Sequence, residues 1–358
     1  DSHLTTLITS KFIKLVNYLR SIMLNMAMVV ITATLVIFLM CSSSSEAILQ
    51  KRLQLPSPLT GPESLAFDLT GGGPYVGSSD GRIFKYIGQD EGFIEYASTS
   101  RNRDKTLCDG LADFSELQAT CGRPLGLGFN QQTGDLYVAD AYFGLVKVAP
   151  GGENVTHIFG SENAYATRFT DGLDVDPETG IVYFTEASTN FRFKDFETLI
   201  DSEDKSGSLL KYDPSTDQTT VLLGNLAMPS GVAVSSDGSF VLVGEYLANR
   251  IQRVWLKGPN AFSSELFMPL AGSPNNIKRN SRDQFWISVN GIFRSPIFQR
   301  NINFPTGVKV SENRIILQIV SLISEYGTES ASEIQDYNGT LYSGSLQASY
   351  ATIFTTLL

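Results

Sequence analysis

One phrase, repeated six times after Ala47, constrains this chain more than any other feature: an apolar alternating strand, a tight turn, then a second alternating strand rich in Val, Tyr and Phe. The copies are PESLAFDLTGGGPYVGS, RPLGLGFNQQTGDLYVAD, TDGLDVDPETGIVYFTE, PSGVAVSSDGSFVLVGE, PNNIKRNSRDQFWISV and SEIQDYNGTLYSGS. Their turns fall near Gly72, Gly134, Gly180, Gly238, Asp283 and Gly339, so successive copies are 62, 46, 58, 45 and 56 residues apart. Thr-Gly, Asp-Gly and Asn-Gly pairs tolerate the positive φ of tight turns. Segments such as GRIFKY, GLVKVAP, GSLLKYDP and NRIQRVWLKG supply a third strand. Without a convincing amphipathic helix after Ala47, a parallel α/β sheet loses its crossovers. The period predicts an all-β, six-bladed β-propeller over 48–358. A β-sandwich is the competing architecture, and it seldom shows a shared motif at near-regular spacing.

Residues 1–47 read differently. Met26 to Cys41 is an almost unbroken apolar run of 16 residues, followed by SSSSEA. An apolar stretch ending in small residues is a secretory signal pattern, with cleavage expected after Ala47. A membrane span needs about 20 apolar residues, so a retained anchor is the weaker reading and no stable membrane insertion is expected after cleavage. Met23 and Met26 are both candidate starts. Lys11, Lys14 and Arg20 would otherwise form the basic flank. Secretory entry makes two further features coherent. Cys108 and Cys121 read as one disulfide in an oxidising compartment. Asn154 and Asn338 each open an N-x-Thr sequon, so both are candidate glycosylation sites.

Composition excludes whole classes. Lys and Arg number 27 against 37 Asp and Glu, a formal charge of -10, which leaves no basic footprint for nucleic acid. The two histidines, His3 and His157, are too few for histidine-rich zinc chemistry or a Ser-His-Asp triad with spare ligands. A small molecule is the expected partner and a monomer the expected state.

In a propeller the first strand of each blade lines the axis, so equivalent residues at its start meet around one mouth. Aligning the phrases places Glu63, Leu125, Asp171, Ser230, Asn275 and Ser332 in that ring. Ser64, Gly126, Gly172, Gly231, Asn276 and Glu333 follow them. Glu63, Asp171, Asn275 and Asn276 offer hard oxygen ligands that suit calcium, and a solvated polar channel is the bland alternative. Tyr246 ends a strand near the same mouth. Trp255 and Trp286 read as core.

The phrases CGRPLGLGFNQQTGDLYVADAYFGL, DGLDVDPETGIVYFTEAS, GSLLKYDPSTDQTTVLL, SSDGSFVLVGEY, RVWLKGP and NNIKRNSRDQFWIS together resemble the plant strictosidine synthase family, from about Pro62 to Leu346. The resemblance implies a six-bladed propeller of the secretory pathway, vacuolar or extracellular, with Cys108 and Cys121 matching the family disulfide. It also implies a cofactor-free condensation of tryptamine with secologanin. Carried over residue by residue, however, the family's catalytic glutamate falls at Ser332, which cannot serve as general acid/base. Glu333 is adjacent, but a one-residue slip turns a strand side chain to the other face unless a bulge intervenes. The aromatic pair that would sandwich an indole becomes Asp171 and Tyr246. The family's sugar-contacting histidines have no counterpart after Trp286.

This pattern is similar to the strictosidine-synthase-like branch, whose channel resembles that of calcium-dependent esterases and lactonases of the paraoxonase and gluconolactonase type. That resemblance puts Glu63, Asp171, Ser230 and Asn275 or Asn276 around a metal, with Ser230 in place of an expected Asn and no histidine dyad. The expected activity is metal-assisted hydrolysis of an ester or lactone, with the cation polarising the carbonyl and Asp171 or Glu63 orienting water. Strictosidine synthase-type condensation and a non-catalytic binding propeller are the alternatives.

Overall fold

Alternating strands joined by tight turns account for nearly all of the regular structure. The computed structural model describes residues 44–160, 168–294, 301–327 and 329–356, and the apolar run at 26–41 lies outside them. The first strand, β1 (Ser44–Gln54), stands apart from the repeats. Next come β2 (Leu65–Ala66), β3 (Tyr75–Gly77), β4 (Arg82–Tyr86) and β5 (Phe93–Ser98), one four-stranded antiparallel sheet. A second holds β6 (Pro124–Phe129), β7 (Leu136–Asp140), β8 (Gly144–Val148) and β9 (Val155–Phe159). A third holds β10 (Phe169–Val175), β11 (Val182–Ser188), β12 (Gly207–Asp213) and β13 (Gln218–Leu226). The fourth is β14 (Pro229–Val234), β15 (Phe240–Glu245), β16 (Arg250–Trp255) and β17 (Ser264–Pro269). Each sheet is ordered as its sequence runs, and the segments expected as third strands are β4, β8, β12 and β16.

The last two repeats behave differently. β18 (Ser273–Arg279), β19 (Gln284–Arg294), β20 (Asn301–Ser311) and β21 (Ile316–Ser321) join β22 (Glu333–Tyr337), β23 (Thr340–Gly344) and β24 (Tyr350–Thr356) in one eight-stranded sheet. β1 causes the fusion. It pairs antiparallel with β24 from Ala47↔Thr356 to Gln54↔Tyr350, and its other edge adjoins β21. Six separate sheets were expected, whereas four separate sheets and one double sheet are found, because the N-terminal strand satisfies two exposed edges at once. β1 also takes in Ser44–Ala47, the end of the expected leader, and Ala47 is buried.

The turns match their chemistry: φ is +78° at Gly134, +72° at Gly180, +62° at Gly238, +57° at Asp283 and +80° at Gly339. Helices among the described residues are single turns, the longest being Phe196–Ile200. None of the described helices is long and apolar enough to cross a membrane.

Hydrophobic clusters fill the spaces between consecutive sheets, as in Leu127, Val138 and Val146 with Tyr75 and Ile83. Trp286 is buried, and Trp255 packs on the cluster around Phe240. The starts of the six first strands close a ring. The Leu127 N–H donates to Ser64 Oγ at 3.3 Å, the Asn276 N–H to the Ser332 carbonyl at 2.9 Å, and Ser64 Oγ to Glu333 at 2.7 Å. The backbones approach closely here. A Cβ on Gly172 would lie 2.4 Å from the Ser230 carbonyl oxygen, and one on Gly231 2.4 Å from Asn276 Cα. Glycine at these repeat positions therefore reflects the crowding of first strands against one another.

Candidate active site

Glu63 and Asp171, more than 100 residues apart in sequence, line one cavity at an end of this ring. The cavity encloses about 660 Å³ including its open mouth. Glu63 follows a turn at Gly61 and is 3% exposed; Asp171 lies in β10 and is 6% exposed. The pairing of β10 with β11 shifts register between Thr170 and Leu173. Comparable irregularities occur between Pro124 and Gly126, Pro229 and Val232, and Pro274 and Ile277. Such bulges re-aim side chains where a ladder would otherwise alternate them.

Of the residues expected at this mouth, Glu63, Asp171, Asn275, Tyr246 and Leu125 line the cavity. Asn276 lies just beneath, its Nδ2 donating to both Glu63 oxygens at 3.0 Å. Ser230 and Ser332 are buried in the ring, with hydroxyls donating to the Pro274 and Glu63 carbonyls respectively. Glu333 faces away from the mouth. It accepts from Ser64 Oγ at 2.7 Å and the Leu65 N–H at 2.9 Å, and lies 3.4 Å from Lys278 Nζ. β22 pairs with β23 without a register shift, so no bulge brings Glu333 into the position of Ser332.

Burial dominates the electrostatics. Desolvation, reinforced by the Asp171 and Glu333 carboxylates, holds the Glu63 carboxyl well above its ordinary range, against opposing effects of Arg123 and Asn276. Burial pushes Asp171 up to about 7, with Arg123 pulling the other way. Two such groups share protons as a pair, and the arrangement can keep one acid and one base available near neutral pH.

Glu63, Asp171, Asn275 and Asn276 are also the residues expected to hold calcium. Glu63, Asp171 and Asn275 line the cavity together, which makes part of a cation shell. Asn276 presents N–H groups to Glu63, and Ser230, whose hydroxyl donates to the Pro274 carbonyl, is not among the residues that line the cavity. Among the described residues no group of three or more His, Cys, Asp or Glu is placed to hold a metal. Calcium takes 6–8 oxygens.

Sequence reasoning missed the aromatic wall. Phe114 stacks on Phe193, ring centres 4.8 Å apart, and Phe169 meets Phe193 edge-on at 5.4 Å. Phe196 packs edge-on against Tyr246 at 6.0 Å. Phe193 and Phe196 belong to the connection between β11 and β12. The signal was its aromatic text, NFRFKDF, in a link much longer than a hairpin turn. Phe114 belongs to the loop closed by the Cys108–Cys121 disulfide, whose Cα atoms are 5.5 Å apart. Arg123, two residues beyond that bridge, was also missed, and its guanidinium is fully buried.

The ring of first strands, with an acid-bearing, aromatic-walled cavity at one end, defines an all-β protein of the propeller type. The strictosidine synthase family model matches residues 171–259. The chain is 43% identical over 313 residues to Protein STRICTOSIDINE SYNTHASE-LIKE 12 of Arabidopsis thaliana, covering 87% of this chain and 90% of that protein. It is 36% identical over 298 residues to strictosidine synthase of Catharanthus roseus, covering 83% and 84%. The chain belongs to the strictosidine synthase family. In structure it is similar to a gluconolactonase from Xanthomonas campestris, with a TM-score of 0.58 at 12% identity, covering 88% of this chain and 98% of that one. That likeness concerns the fold.

Proposed function

We propose that this protein is a six-bladed propeller hydrolase that cleaves an ester or lactone of a small molecule with an apolar or aromatic body. The observation that carries the reading is the buried Glu63 and Asp171 pair beneath the aromatic wall. In this scheme Asp171, ionised, takes a proton from a water molecule as the water attacks the carbonyl carbon. Glu63, protonated, donates a hydrogen bond to the developing oxyanion and then its proton to the leaving alkoxide. The proton taken by Asp171 returns to Glu63 through solvent, which closes the cycle. General acid/base assistance of this kind is worth about 10²–10⁴-fold. No resident metal enters the scheme.

Secretory delivery to the vacuole or the cell exterior belongs to the same proposal, as do removal of a leader and glycans at the exposed Asn154 and Asn338. The buried disulfide supports an oxidising destination.

A second reading, condensation of an amine with an aldehyde, is favoured by one contact. Ser332, at the position where the family resemblance places its general acid/base, donates to the backbone carbonyl of Glu63, the residue whose carboxyl lines the cavity. One experiment separates the readings. Purified wild-type protein and Asp171→Asn are assayed against aryl esters and aliphatic lactones, and in parallel with tryptamine plus secologanin. Hydrolysis lost in Asp171→Asn supports the first reading; coupled product without hydrolysis replaces it with the second.

A further inference from the structure

We propose that Arg123 is the positioning residue of the candidate active site: clamped by Asp113 of the disulfide-closed loop, its guanidinium fixes the Gly61–Glu63 turn and backs the aromatic wall. This inference rests on the proposed hydrolytic reading only for its kinetic consequence. The geometry stands without it.

Four contacts define the clamp. Arg123 Nε donates to Asp113 Oδ1 at 2.6 Å and a terminal nitrogen donates to Asp113 Oδ2 at 3.2 Å, a bidentate pair. The other terminal nitrogen donates to the Gly61 carbonyl at 3.1 Å and to the Pro124 carbonyl at 2.8 Å. Thus one fully buried cation ties the loop between Cys108 and Cys121, the start of β6 and the turn before Glu63 to a common point. Asp113 is held in turn by Gln118 Nε2 at 3.0 Å, and the same nitrogen donates to the Ser79 carbonyl at 2.7 Å.

The turn is shaped for this guest. Gly61 has φ +76°, its N–H donates to the Ala348 carbonyl at 2.9 Å, and its carbonyl also accepts from the Glu63 N–H at 2.8 Å. A Cβ at Gly61 would lie 2.1 Å from an Arg123 terminal nitrogen. Phe114, the residue after Asp113, carries the cavity wall, and the guanidinium lies 5.9 Å from the centre of the Phe193 ring on which Phe114 stacks. One side chain therefore touches the supports of both the reacting carboxyl and the wall. Lysine would keep the charge but lose the planar fork that reaches Asp113 and Gly61 together.

The test uses the full chain as wild type, Arg123→Lys, Asp113→Asn and Gly61→Ala, each first checked for folding by circular dichroism. Hydrogen exchange read by mass spectrometry follows peptides covering 59–66 and 110–118, with 240–245 as the internal control. Faster exchange in the first two, with the control unchanged, is expected in all three variants. Phenyl acetate hydrolysis supplies the kinetic arm, where kcat should fall about 10-fold or more in Arg123→Lys while KM stays within about 3-fold, since small misplacements of reacting groups cost rate steeply. Unchanged exchange at 59–66 in folded Arg123→Lys and Gly61→Ala overturns the proposal. So does a rise in KM with kcat intact. Should wild-type protein leave phenyl acetate and every other ester untouched, the hydrolytic reading fails while the exchange arm still decides the positioning role.

Discussion

Asn276 reaches across the ring to Glu63, placing its amide nitrogen 3.0 Å from both carboxyl oxygens of a residue more than 200 positions away in sequence. β18 carries one partner and the segment before β2 the other, so the contact exists only when the repeats have closed on themselves. Asn276→Leu removes the donor and leaves a buried acceptor unsatisfied, which costs about 1–3 kcal/mol. Urea unfolding should show this as a lower midpoint with an unchanged slope. An unaltered midpoint would mean that solvent or another donor satisfies Glu63.

Activity should follow the protonation of the pair. Asp171 acts as base only when ionised, and burial places its titration at about 7. Ester hydrolysis is therefore expected to rise as pH increases through about 7, and to fall where Glu63, whose carboxyl burial also holds above its ordinary range, gives up its proton. Asp171→Asn should abolish the rising limb together with about 10²–10⁴-fold of kcat. A pH profile that is flat from 5 to 9, taken as roughly the window in which such a pair titrates, removes Asp171 from the mechanism.

Stability should run the opposite way. A carboxyl whose folded pKa lies above its unfolded value binds more protons in the native state, so its contribution is full below the unfolded pKa and is lost as pH rises through the folded one. Asp171 and Glu63 are both of this kind. Asp171→Asn is thus expected to raise the melting temperature at pH 8 by about 2–4 °C, with little change at pH 4. Equal effects at both pH values would assign the change to packing.

How much of this was legible beforehand depends on the range of each interaction. Strand alternation and turn chemistry are local, so the repeat and its positive-φ turns at Gly134 and Asp283 could be read directly from the chain. The meeting of Glu63 with Asp171 followed from the repeat alone, because equivalent strand starts share an axis. Hydroxyl directions did not follow. Ser230 and Ser332 sit at the right level of the ring, yet crowded backbone carbonyls capture both side chains. The double sheet was hidden because β1 lies outside the repeat, and the aromatic wall because Phe114 and Phe193 come from connections that obey no period.

Phe114 offers a test of the wall that leaves the core alone, since it is 40% exposed whereas Phe193 beneath it is buried. An aromatic pair contributes about 0.5–1.5 kcal/mol beyond area, which corresponds to about 2–12-fold in binding. Phe114→Ala should raise KM for an aryl ester by that factor and leave kcat and the KM of a small aliphatic lactone nearly unchanged. Equal losses on both substrates would show that the wall excludes water and does not select aromatic bodies.

Calcium supplies the last discrimination. A ligand that binds the folded state alone raises its stability by RT ln(1 + [L]/Kd), so a cation seated between Glu63, Asp171 and the two asparagines would announce itself in a thermal melt. With Asn276 donating N–H groups into Glu63 and Ser230 outside the cavity lining, two members of that set do not present oxygen to the cavity. Melting temperatures of chelator-treated and calcium-supplemented protein are therefore expected to agree within about 1 °C, and ester hydrolysis to be equal in both. A calcium-dependent rise of several degrees, abolished in Asp171→Asn, would mean that Asn276 reverses its amide to offer oxygen, and the proton-only scheme would give way to one in which a metal polarises the carbonyl.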